Sequence, residues 1–156
     1  MKKRFGLAFF LSLLVLLSFG PVLGGDSFFG KVTEVRAPNV VVIDNGKARF
    51  VVNIVGIEPA REAAIASQAK QLVADLVLNK DARVRILGWT QKNEMVAQLL
   101  TANKEIGIKD VAVEMVRAGM ARRQQGKDED FGYKYGELNT AERQARAAKR
   151  GLWKTQ

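Results

Sequence analysis

A chain of 156 residues holds one domain around one core. It contains neither cysteine nor histidine, which excludes disulfides, thiolate metal sites, a lipid-anchored cysteine and the usual neutral-pH proton shuttle; catalysis would rest on carboxylates, Lys, Arg or Tyr, and any metal would be a hard, oxygen-bound cation. The formal charge of +9 suits a polyanion partner, although exported proteins without such a partner are often basic too.

In chain order, Lys2, Lys3 and Arg4 precede an almost unbroken apolar run over residues 5–17, extended by Phe19, Val22 and Leu23 and closed by Gly24 and Gly25. That pattern predicts a signal peptide over residues 1–24, which directs the chain outside the cytoplasm, to the periplasm or beyond. The alternative is an uncleaved anchor, for which the run is short against the roughly 20 apolar residues of a spanning helix. Without it, 22 basic residues face 16 acidic ones.

Residues 28–36 alternate as a strand, Ala37-Pro38-Asn39 forms a turn, and the β-branched residues 40–43 form a second strand. Asp44-Asn45-Gly46-Lys47 predicts a hairpin, because Asn-Gly tolerates positive φ, and residues 48–55 are the return strand. Pro59 is expected in the first turn of the next helix, where its missing N–H costs nothing. From residue 62 to 78, Ile65, Ala69, Leu72, Val73 and Leu76 recur at helical spacing. Strands follow at 84–87 and 94–101, around a polar turn at 88–93.

A helix over 108–118 carries Val111, Met115 and Ala118 on one stripe, with Gly119 as its stop. Residues 122–130 read as a charged, solvated loop. The last helix, 135–150, has the narrow stripe Leu138, Ala141, Ala145 and Ala148, and Gly151 ends it. Five strands, with one helix after the third and two at the end, predict an α+β fold: a five-stranded OB-type Greek-key barrel with three helices, in a single domain over residues 28–154.

Two stretches invite a functional reading. Glu58 follows a strand and a glycine, as acids at site rims often do; the plainer reading is a helix-start acid beside the positive end of the helix dipole. Arg61 either receives an anion at that helix start or is a solvated first-turn residue. Arg117, Arg122, Arg123 and Lys127, with Tyr133 and Tyr135 close behind, interleave charge and aromatic surface as single-stranded nucleic acid requires, although Asp128-Glu129-Asp130 opposes their field. Arg143, Arg146, Lys149 and Arg150 read as a solvated face, partly paired with Glu142.

"GIKDVAVEMVRAGMAR", "AKRGLW" and "VVNIVGIEPA" together resemble the staphylococcal nuclease, or thermonuclease, family over residues 29–154. The first two stretches are fold markers rather than catalytic ones. The resemblance implies a barrel that cleaves DNA or RNA with one Ca²⁺, held by two aspartates, with a glutamate as general base and two arginines on the phosphate. Cation and guanidinium groups would neutralise charge growing at phosphorus.

Position by position, the carry-over fails. Asn39 stands for the first calcium aspartate, offering a carbonyl oxygen without charge. Glu58 stands for the second, one methylene longer, and is the one candidate metal ligand. Asn53 stands for one phosphate arginine and Glu94, a charge reversal, for the other. Arg61 occupies the place of the base, with Glu62 one step, about 100°, further round the helix.

The expectation is therefore an exported, monomeric, thermonuclease-like protein with a decayed site, needing no cofactor. It would bind nucleic acid, another polyanion or an envelope protein, with no stable membrane span once the signal is cleaved. The alternative is a Ca²⁺-dependent endonuclease with a site rearranged around Glu58, Glu62 and Asn39.

Overall fold

The computed structural model describes residues 26–102, 107–125 and 136–154. Seven strands, three α-helices and a terminal 3₁₀ turn follow in the order β1 (Ser27–Ala37), β2 (Val40–Asp44), β3 (Arg49–Ile54), β4 (Ile57–Pro59), α1 (Ala63–Val77), β5 (Asp81–Trp89), β6 (Met95–Thr101), α2 (Val111–Arg117), β7 (Ala121–Arg123), α3 (Gly136–Ala147) and Gly151–Trp153. The expected barrel is present: β1, β2, β3, β6 and β5 close on themselves in that order. Every junction is antiparallel except β3–β6, which is parallel. Closure leaves this sheet without an unpaired edge.

Alternation decides which side chains fill the barrel. Val32, Val41, Ile43, Val52, Val84, Ala97 and Leu99 are buried, whereas their strand neighbours are partly or fully exposed, except Val42, which is buried too. Strand β1 reaches both β2 and β5 because its pairing with β2 shifts register between Val32 and Glu34 and again between Val35 and Ala37. Such bulges add twist, which lets one long strand curl around a small barrel. The predicted hairpin between β2 and β3 has Gly46 at φ +83, with Asp44 and Asn45 side chains accepting backbone N–H groups at 2.8–3.0 Å.

Helix α1 turns Ala69, Val73 and Val77 onto the barrel, and its exit is fixed by backbone bonds from Asn79 to Val32 and from Val32 to Lys80. Helix α2 is almost wholly buried and packs between β6, α1 and α3. Its N-cap is Asp110, whose carboxylate accepts the N–H of Ala112 at 2.9 Å and the side-chain amide of Gln98 at 2.8 Å. The periodicity had placed this start at 108; Asp110 shortens the helix.

The two fold markers touch. Gly119 (φ +72) and Gly151 (φ +49) pack backbone to backbone, with Leu152 N–H donating to Gly119 O at 2.9 Å. A Cβ on either glycine would collide with main-chain atoms of the other's segment. Helix α3 buries Leu138, Ala141 and Ala145 as predicted, but Ala148 is exposed, because the chain leaves the helix through Lys149 at φ +49. Trp153 and Leu152 then form a small separate cluster with Ala145, against Ala60 and Ile65.

Two short strands correct the sequence reading. Pro59 ends β4 rather than opening a helix, and Arg122 and Arg123 lie in β7 rather than in a loop. The two pair antiparallel outside the barrel. Neither shows in a periodicity search: each is three residues long, and their pairing spans more than 60 positions of sequence.

Candidate functional site

The barrel end carrying Asn39, Asn53 and Glu94 is built from the β1–β2 turn, the end of β3 and the start of β6. Asn39 lies in the turn with Pro38, and its carbonyl accepts the N–H of Ile54 at 2.8 Å, tying the turn to β3. Asn53, half-buried, sits in register between Val40 of β2 and Val96 of β6. Its amide donates to Glu94 Oε2 at 3.1 Å and to the Met95 carbonyl at 3.4 Å.

Glu94 is fixed from the other side by the β5–β6 hairpin. The Thr90 hydroxyl accepts the N–H of Glu94 at 3.1 Å, and Thr90 N–H donates to Glu94 O at 2.8 Å. Asn93 supplies the left-handed residue that the turn needs, at φ +60. The two positions where the resemblance would put phosphate-gripping arginines therefore hold an amide and a carboxylate bound to each other across the parallel junction.

Glu58 and Arg61 come from the next segment of the chain. After Gly56 (φ +85) turns the chain, β4 places Glu58 opposite Arg122 of β7. Glu58 is thus not a helix-start acid: α1 begins five positions on, has no acid in its first turn, and takes Glu62 as N-cap without a side-chain capping bond. Arg61 precedes the helix, is 92% exposed at its side chain, and pairs with Glu58 at 3.5 Å.

A cleft of about 330 Å³ runs beside this pair, lined by Glu58, Arg61, Glu62, Arg122 and Leu152 but by none of Asn39, Asn53 or Glu94. Among the described residues no three acids gather where they could share a cation. Two carboxylates, Glu58 and Glu62, line this cleft, and Glu58 is paired with Arg61.

The basic residues gather at the far side of the cleft. The guanidinium of Arg146 lies 4.0 Å from the centre of the Trp153 ring and that of Arg122 5.4 Å from it. Trp153 itself is buried, so the ring works as a shared platform that holds two cations near one another. Arg150 reaches the Arg117 carbonyl at 3.3 Å, and Arg117 pairs with Glu114 on its own helix. Arg146 pairs with Glu142, as the sequence spacing implied. Arg143, Arg146, Lys149, Arg150 and Lys154, on α3 and the residues after it, are all exposed.

Of the predicted nucleic-acid set, Arg117 and Arg122 come to this face. Arg123, the next residue of β7, is half-buried and bonds the Gln124 carbonyl at 3.3 Å. Lys127, Tyr133 and Tyr135 lie outside the described residues. The role of Trp153 was missed: "GLW" reads as a core plug, and nothing in its spacing announces two arginines brought from β7 and α3.

Comparison with known proteins agrees with this architecture. Residues 32–155 match the family described as staphylococcal nuclease homologue. A curated relative from Phaeosphaeria nodorum, named "Probable endonuclease LCL3", is 31% identical over 93 residues, which cover 59% of this chain and 31% of that protein. The matched part thus spans less than a third of the relative.

Proposed function

Given that the chain belongs to the staphylococcal nuclease homologue family, we propose that it is an exported member whose cleavage site has been replaced and that it binds nucleic acid, or a comparable polyanion, without cutting it efficiently. The observation carrying this reading is the bond between Asn53 and Glu94. Two cations at those positions would stabilise the transition state; an amide and an acid locked together supply one negative charge instead. Removing one such electrostatic donor costs about 10²–10³ in rate in other enzymes, and joint losses in one unit need not multiply. Arg61 at the place of the base is already protonated and cannot accept a proton from water.

Binding is supported by what remains positive. Arg122 and Arg146 on Trp153, with the exposed Arg143, Lys149, Arg150 and Lys154 of α3 and the residues after it, outnumber the acids Glu142, Glu58 and Glu62, of which Glu142 and Glu58 already have partners. Guanidinium groups held on a ring are pre-arranged for phosphate and for base stacking.

A second reading, a Ca²⁺-dependent endonuclease, draws on the shared cleft of Glu58 and Glu62 and on the name of the fungal relative. One assay separates the two. The protein is incubated with single- and double-stranded DNA and RNA, with Ca²⁺ or a chelator, over a salt series. Salt-sensitive retention without cleavage is the expected result, since phosphate contacts release counterions. Chelator-sensitive cleavage abolished by Glu58→Ala would overturn the proposal, and neither cleavage nor retention would turn it toward a protein partner in the cell envelope.

A further inference from the structure

A second concave surface lies away from both groups of site residues, on the outside of the barrel where β1, β5 and the end of β6 run side by side. Its volume is about 320 Å³ and its lining includes Phe29, Arg83, Leu100, Thr101 and Ile108. The pairing register explains the meeting: Phe29 lies opposite Arg83, and Arg83 opposite Leu100, so the three form one row across three strands. Phe29 is 63% exposed and Ile108 81%.

Ile108 is held out rather than left loose. The buried Thr101 hydroxyl donates to the Gly107 carbonyl at 2.7 Å and accepts the Lys109 N–H at 2.8 Å, while Thr101 N–H donates to the Lys109 carbonyl at 2.8 Å. Three bonds brace the residues on either side of Ile108, so its apolar side chain stands in water at a fixed place. The barrel core does not require this exposure.

The rim is basic. Arg83 lines the groove; Lys31 and Arg85 stand two positions along the same strands from Phe29 and Arg83, and Lys109 follows Ile108, all exposed, against the exposed Asp26 and Asp81. Two bulky apolar side chains within a ring of long cationic ones have the chemistry of a contact with an anionic lipid surface: the apolar tips enter the interface while the charges stay at headgroup level. The same charges disfavour a two-fold pair of this face with its own copy, in which Arg83 and Arg85 would confront themselves. We infer that this face docks the barrel against an anionic bilayer, leaving the arginine face around Trp153 to its own partner.

The absence of cysteine permits a direct test. The full chain carrying Ile108→Cys, or Gln144→Cys on α3 as a control, is labelled with an environment-sensitive dye and mixed with phosphatidylglycerol–phosphatidylcholine vesicles or with phosphatidylcholine alone. The expected result is a blue shift at position 108, quenched by acyl-chain spin labels, stronger on the anionic vesicles and weakened by salt, with position 144 unchanged. Phe29→Asp in the labelled background returns the dye to its aqueous spectrum. All three substituted positions, 29, 108 and 144, are solvent-accessible, and circular dichroism confirms the fold of each variant.

A dye at 108 that stays aqueous on vesicles, or a shift at 144 instead, overturns the proposal. Protection of position 108 without vesicles overturns it in favour of another occupant: a second copy if the protection grows with protein concentration, the chain's own apolar segment if it does not.

Discussion

Asn53 and Glu94 show how little a pair of residues need change to alter a site's sign. Their bond is half-buried and joined to Thr90, so Glu94→Ala should destabilise the fold by about 1 kcal/mol, and Glu94→Gln, which keeps an acceptor, by less, as read from urea midpoints. The functional counterpart is restoration. Asn39→Asp, Asn53→Arg, Arg61→Glu and Glu94→Arg together should raise Ca²⁺-dependent cleavage by at least about 10²-fold over the parent, whereas Asn53→Arg with Glu94→Arg alone should not. If the fourfold variant gained nothing over the parent, the assignment of these positions would be wrong. At this scale the sequence was informative about identity: each departure was visible in "APNV", in "NIVGIEPARE" or in "NEMVA". That Asn53 bonds Glu94 was not, because they are 41 residues apart and meet only across the parallel β3–β6 junction.

Among the elements, the helices and barrel strands obeyed their local rules, and the short pieces did not. Asp110 caps α2 and receives Gln98 from β6, so it ties a helix end to the barrel; Asp110→Ala should cost about 1–2 kcal/mol and Asp110→Asn markedly less, in the same unfolding assay. The contact between Gly119 and Gly151 is more demanding. Gly151→Ala places a Cβ against the Gly119 carbonyl at a positive φ, and a loss of about 3 kcal/mol or more is expected, with the near-ultraviolet signal of Trp153 altered. A wild-type midpoint for that variant would refute the packing described. By contrast β4 and β7 exist only as partners of one another. Three residues of strand carry no periodicity, and Pro59 carries a helix-start signal as readily as a strand-end one.

At the scale of the molecule, the arginines around Trp153 and the Phe29–Ile108 groove belong to different elements. The arginines around Trp153 lie on β7, α3 and the terminal turn, while Phe29 and Ile108 lie on the far strands of the barrel and the loop that follows β6. Nucleic-acid retention should therefore fall steeply with salt and be reduced by Arg122→Ala with Arg146→Ala, uniformly across sequences, while Phe29→Asp leaves it unchanged. Retention indifferent to salt would argue against phosphate contacts altogether. Export makes its own prediction: protein recovered from the cell envelope should have lost the mass of residues 1–24. Intact mass there would identify the apolar run as an anchor.

The sequence by itself determined the barrel, the helices and the departures from the family's catalytic residues. Those depend on side-chain type and on spacing within a few residues, where alternation, capping and turn chemistry act. Tertiary structure alone decided which distant residues share a surface. It paired Glu58 with Arg61 beside a cleft, brought two arginines from β7 and α3 onto one tryptophan, and left a phenylalanine and an isoleucine, 79 positions apart, beside the same groove. Closing a barrel fixes which strands become neighbours, and that choice belongs to the packing of the whole chain rather than to any local pattern.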